Sequence, residues 1–240
     1  MLISLILSIH LYYKPVQEIT FKSREEKETC FNSYALGFYK TLEDTNLNYN
    51  AFYFALQGYY NLMATKKLYN DSVLSIIDYS KSANMPRFYM IDMYNKKIIN
   101  KTFVSHGKNS GMEFAKHFSN DINSFKSALG FFVTSETYFG KHGYSLRMEG
   151  IENKINDNAR NRDIVIHGAG YVDACVIKKQ GYIGRSHGCP ALPKDLSKNI
   201  IEKIKECSCI FAYFEDSDYF KRSIVINSKD YLLIFEKSQR

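Results

Sequence analysis

The sequence predicts a mainly β fold over residues 72–240, preceded by a helical extension over 29–71 and carrying one helix late in the β-rich part. Three observations predict it. After residue 72, short runs rich in Val, Ile, Phe and Tyr recur between Gly, Asn and charged turn residues, as strands joined by tight connections do. Ahead of them, apolar residues within 50–63 recur at helical spacing. Behind most of them, PKDLSKNIIEKIKE has a helical pattern, with Pro193 tolerated in a first turn. At 240 residues, 45% hydrophobic and 24% charged, the chain can bury a proper core and is unlike a disordered one.

In chain order, MLISLILSIHLYYKP opens with an apolar run from Leu2 to Tyr13. The run is too short to span a bilayer, which takes about 20 residues. Its length suits the core of a secretory signal, although a positive leader and a small-x-small cleavage site are missing. Residues 1–28 are therefore expected to be an apolar signal-like segment followed by a polar connector, KPVQEITFKSREEKET. Phe52, Ala55, Leu56, Tyr59, Leu62 and Met63 then make one helix face, a core or docking stripe with no catalytic role. Strands are expected at SVLSIIDYS, RFYMIDM, IINKTFVSHG, GFFVTS, YSLRMEG, RDIVIHG and, past the late helix, CIFAYF.

The formal net charge of +7 favours anionic surroundings without choosing among them. No basic stripe or nucleic-acid-binding motif accompanies it, so nucleic acid is not an expected partner. The cysteines are Cys30, Cys175, Cys189, Cys207 and Cys209, an odd number, so at least one thiol stays unpaired within a monomer. None has CxxC spacing. Cys207 and Cys209 lead into CIFAYF on one expected strand face, where packing is their role.

Two stretches carry chemistry: IVIHGAGY at 164–171 and GRSHGCP at 184–190. Ile164, Val165 and Ile166 read as a buried strand ending at His167, and a histidine at a rigid strand end is well placed to be a base. Gly188 lets the backbone turn before Cys189, and Pro190 keeps the thiol out of a central ladder. A thiol with an ordinary pKa of about 8.5 needs a nearby base to become a nucleophile at neutral pH, and an imidazole can supply it. Alone, a histidine or a cysteine is usually a packed structural residue; the joint context points to chemistry.

His167, eighteen intervening residues (168–185) and Ser186-His187-Gly188-Cys189 resemble the His-gap-Ser/Thr-His-Gly-Cys signature of bacterial L,D-transpeptidases with a YkuD-like catalytic domain. HGKNSG, FSN, ALGFFVTSETYFGKHGYSLRMEG, NDNARNRDIVIHGAGYV and GRSHGCPALP extend the resemblance, over about 50–215, to the murein L,D-transpeptidase subgroup. The gap is slightly longer than the usual pattern, and Pro190-Ala191 replace an apolar residue followed by Arg or Asn. The resemblance implies that Cys189 attacks a peptidoglycan tetrapeptide stem before its terminal D-alanine, with His167 moving the proton. A neighbouring stem amine would then take the acyl group as a 3-3 cross-link, whereas water would give an L,D-carboxypeptidase. It also implies that the carbonyl of Gly168 orients His167, with the Gly188 and Cys189 N–H groups facing the oxyanion. No cofactor is required, and the location implied is the periplasm or cell envelope.

Further residues are expected to shape the substrate cleft. Ser186 and His187 precede the Gly-Cys pair, Arg185 is placed for a stem carboxylate, and strand alternation lets Arg147 reach the cleft; Tyr138, His142 and His106 fall in the family-like blocks. Two rivals remain. Papain-like and related wall peptidases place cysteine before histidine, the reverse of the order here. A zinc site built from His106, His142, His167, His187 and Cys189 matches no compact metal spacing.

Overall fold

The computed structural model describes residues 23–238. The apolar run expected to be signal-like lies outside the described residues.

Helix α1 (Arg24–Thr41) begins inside the stretch expected to be a connector. The Ser23 hydroxyl accepts the Glu26 N–H at 3.1 Å, and Glu25 and Glu26 stand at the positive end of the helix dipole. The polarity of that stretch thus belongs to an exposed helix face, while Phe31, Ala35 and Phe38 supply the buried one. Helix α2 (Tyr49–Ala64) is capped by Asn48 and buries Phe52, Ala55, Leu56, Tyr59 and Leu62 of the expected stripe; Met63 is half-buried. Its polar residues reach the end of the chain, where Gln57 Nε2 donates to Ile226 O at 2.8 Å and Asn61 Nδ2 to Val225 O at 2.7 Å.

The strands are β1 (Val73–Asp78), β2 (Phe88–Asp92), β3 (Lys97–Thr102), β4 (Gly130–Gly140), β5 (Gly143–Gly150), β6 (Val165–Ala169), β7 (Ala191–Pro193) and β8 (Cys209–Tyr213). They form one sheet in the order β3-β2-β1-β8-β4-β5-β6-β7. The β1–β8 and β6–β7 pairs are parallel and the others antiparallel. Beyond β3 the chain covers the free edge of β7: Ser105 N–H donates to Ala191 O at 2.9 Å, and Lys108 N–H to Ser186 O at 2.8 Å. Those bonds set the segment after β3 against the stretch containing Cys189.

The expected late helix is α4 (Lys194–Ile204). Helices α3 (Ala174–Gln180), α5 (Ser217–Arg222), α6 (Ile224–Asn227) and α7 (Tyr231–Ser238) were not expected. Each spans at most eight residues, too few turns for a helical period to stand out. Local caps explain several of them: Asp173, Asp216 and Ser223 each accept a backbone N–H of the first turn. One hydrophobic cluster joins Phe31 and Phe52 of the early helices, Ile76, Phe131 and Phe211 of the sheet, and Tyr231 and Phe235 of α7. Buried Glu152 ties the sheet to the C-terminal helices by accepting from Phe131 N–H, Tyr219 Oη and Ser223 Oγ.

Helix α2 approaches the sheet at Gly58, where a Cβ would sit 2.0 Å from Phe131 Cζ. Phe131 has little room to yield, because its ring stacks on Phe211 with centroids 4.3 Å apart. Overpacking of about 1–3 kcal/mol opposes the ~1 kcal/mol of helix propensity that alanine adds. Gly58→Ala is therefore expected to lower stability by up to about 2 kcal/mol, read as a lower melting temperature with unchanged far-ultraviolet circular dichroism.

Candidate active site

Strand β6 pairs with β7 in the register His167↔Ala191 and Gly168↔Leu192. Cys189, two residues before Ala191, therefore lies beside the start of β6. Its thiol donates to Asp163 O at 3.4 Å, and the nearby Val165 N–H favours negative charge on the sulfur. His167 Nδ1 lies 3.1 Å from Gly168 O. A carbonyl only accepts, so Nδ1 carries the hydrogen and Nε2 is left as an acceptor. Both side chains line a single cleft of about 650 Å³.

The turn before Cys189 is held from several sides. Ser186 Oγ accepts the Gly188 N–H at 3.0 Å and donates to Cys189 O at 2.6 Å. Gly188 has φ +127°, and a Cβ on it would lie 2.8 Å from Lys126 O, so both conformation and space call for glycine. Ser127 Oγ donates to Gly188 O at 3.3 Å, and Ser186 N–H to His106 O at 2.9 Å. Pro190 removes a donor, and Ala191 N–H turns back to Cys189 O at 3.1 Å. The eighteen residues between His167 and Ser186 contain α3.

These contacts bear on three expectations. The Gly188 N–H is occupied by Ser186 and does not face an oxyanion, whereas Cys189 N–H has no hydrogen-bond partner among the described residues. The Ser186 hydroxyl braces the turn, although the residue borders the cleft. His106 does not meet substrate, because it is 0% exposed. Arg87, also fully buried, donates to His106 Nδ1 at 2.7 Å, and His106 Nε2 donates to Gly111 O at 3.3 Å. Burial and the Arg87 cation hold His106 down to about 3, a neutral support beneath the loop.

Tyr138, His142, Arg147, Arg185 and His187 all line the cleft with His167 and Cys189. His142, at the tip of the β4–β5 hairpin, stacks on His167 with ring centroids 4.2 Å apart and planes at 19°. Arg147 pairs with Asp163 at 3.1 Å and Glu136 at 3.4 Å and lies over the Tyr138 ring. Arg185 is spent on Lys108 O and Gly111 O, each at 3.1 Å, so its guanidinium fixes the 107–112 loop. His187 is exposed and packs on Phe125, centroids 4.6 Å apart. Sequence reasoning missed Lys141, Arg162, Phe125 and Tyr171, which also border the cleft.

Burial is the leading influence on both His167 and Cys189. It lowers His167 below 6.5, opposed by the bond to Gly168 and assisted by His142 and Lys141. It raises the Cys189 thiol above 9.0, although the Val165 N–H, Arg162 and Lys141 draw it back. Both shifts favour the uncharged forms, a thiol and a neutral imidazole. The imidazole is ready to accept a proton at Nε2.

Residues 43–213 match a family described as the L,D-transpeptidase catalytic domain. No curated protein matches the chain. Among solved structures, an L,D-transpeptidase from Mycobacterium smegmatis is 16% identical, covering 60% of this chain and 59% of its own at a TM-score of 0.38. An L,D-transpeptidase from Xylanimonas cellulosilytica is 14% identical, covering 59% and 60% at 0.35. The helical cell shape determining protein Pgp2 from Campylobacter jejuni is 13% identical, covering 75% and 60% at 0.38. The chain spans about 60% of the length of the solved structures it matches.

Proposed function

The chain belongs to the L,D-transpeptidase catalytic domain family, and from that premise we propose that it is a cysteine acyltransferase acting on peptidoglycan stem peptides. The observation that carries this reading is the shared cleft of Cys189 and His167, with Nδ1 fixed on Gly168 O and Nε2 left to accept. His167 Nε2 takes the thiol proton as Cys189 sulfur bonds to the carbonyl carbon preceding a terminal D-alanine. The tetrahedral oxyanion forms next to the Cys189 N–H, the one donor of the expected pair left unengaged. Collapse breaks the carbon–nitrogen bond, and His167 returns the proton to the departing amine, leaving a thioester.

A side-chain amine from a neighbouring stem then attacks the thioester, giving its proton to His167 and releasing Cys189. The cleft is lined by the basic side chains of Lys141, Arg147, Arg162 and Arg185 against one carboxylate, Asp163, an excess of positive charge that suits substrates carrying carboxylates. Stem peptides lie outside the cytoplasm, so the reading includes export. Incubation with a defined disaccharide-tetrapeptide and mass analysis of the products tests it. A 3-3 cross-linked dimer with released D-alanine is expected; tripeptide monomer alone would make the enzyme an L,D-carboxypeptidase, and unchanged substrate would refute the reading.

The resting charges also predict a pH profile. The reactive form has neutral His167 and protonated Cys189, so acylation is lost as pH falls through a His167 value below 6.5 and again as it rises past a thiol value above 9.0. A broad plateau across neutral pH is expected in kcat/KM. A thiolate–imidazolium resting pair would instead give thiol alkylation that is already maximal near pH 6.

A further inference from the structure

The group that sequence reasoning passed over beside the nucleophile is Arg162. Its guanidinium donates from Nη1 to Ser119 O at 2.6 Å, and from Nη2 to Lys126 O at 2.5 Å and Ser124 Oγ at 3.2 Å. All three partners are neutral, and Arg162 forms no ion pair among the described residues. A Cβ built on Gly188 would lie 3.3 Å from its Nη2, so the cation packs against the backbone just before Cys189. A half-buried cation without a counter-ion is costly unless an anion forms beside it.

The other charged and titratable groups of the cleft are differently placed. Arg147 is neutralised by Glu136 and Asp163, and Arg185 is held on the 108–111 carbonyls. Lys141 and His142 come from the hairpin tip, His167 from β6, and Tyr171 and His187 from the loops after it. Asp163 opposes negative charge on the sulfur, while Arg162 and Lys141 favour it. Asp121 is the carboxylate whose field reaches Arg162 together with Cys189.

We propose that Arg162 is the positioning residue and standing counter-charge of Cys189. It holds the 119–126 wall of the cleft in place and stabilises the negative charge that the sulfur gains when His167 removes its proton. This deepens the acyltransferase reading and rests on it, yet it is tested without any stem peptide, so the two can fail separately.

The test is iodoacetamide alkylation of Cys189 against pH, followed by peptide mapping, in the wild type, Arg162→Met, Arg162→Lys and Lys141→Met. Arg162→Met is expected to move the inflection up by about one pH unit, a tenfold loss of thiolate at a given pH. Arg162→Lys should stay within a few tenths of a unit while losing melting temperature, since it keeps the charge and gives up hydrogen bonds. An unmoved inflection in folded Arg162→Met overturns the proposal. Should that variant not fold, Lys141→Met carries the decision. Its Cys189 should favour anionic iodoacetate over iodoacetamide more than a free cysteine amide does, and salt should erase the preference. A ratio no higher than that of the free thiol overturns the proposal equally.

Discussion

Cys189→Ser is expected to eliminate covalent labelling by a carbapenem and to lower stem-peptide turnover on the order of 10⁴-fold or more, the scale set by loss of a nucleophile. The hydroxyl is smaller than the thiol it replaces, and the Asp163 carbonyl that receives the thiol hydrogen can receive a hydroxyl hydrogen. The fold should therefore persist. The chemistry should not, because a hydroxyl is far less acidic than a thiol and His167, held below its ordinary value, is a weak base for it. Intact-mass spectrometry after carbapenem incubation reads the loss, with a melting curve near that of the wild type as the control.

His167→Ala is the second large effect, a fall of about 10²–10⁴-fold in acylation, as for removal of a positioned general base. Two consequences separate it from the cysteine variant. Cys189 remains present and alkylates slowly at high pH, where the thiol ionises without help. His142 loses the ring it stacks on, so the hairpin tip carrying Lys141 should become more open to hydrogen exchange. Single-turnover acylation kinetics measure the first effect, and a rate equal to that of the wild type would remove His167 from the mechanism.

The sequence made Cys189 and His167 stand out because each lies beside a glycine, and such punctuation survives without knowledge of the fold. The expected strand end at His167 is corrected, since β6 runs on through it to Ala169. His167 ends a run of Ile and Val, and Cys189 lies between Gly188 and Pro190. The sheet's other strands were visible from their apolar runs between turn residues, but β7 (Ala191–Pro193), three residues long and closed by a proline, was not. Arg162 was hidden in the polar run NDNARNRD, where a basic residue reads as solvated; its partners at 119–126 lie about forty positions upstream. His106 misled in the opposite direction. Only its burial and its bond to Arg87, nineteen positions away, turn a family-like histidine into a support for the 184–190 loop.

Polarity also concealed the start of α1, since REEKE forms the exposed side of a helix whose buried side begins at Phe31. The C-terminal helices are short enough that caps and packing on α2 define them rather than any period along the chain. What reading along the chain lacks in each case is a partner that only folding supplies.

The most direct measurement of the central claim is peptide-mapped mass spectrometry of the protein quenched in acid during turnover of a tetrapeptide stem. A stem-tripeptide thioester is expected on the peptide containing Cys189 and is expected to be absent from Cys189→Ser. Product formation with that peptide unmodified, or an acyl group carried by another residue, would contradict it.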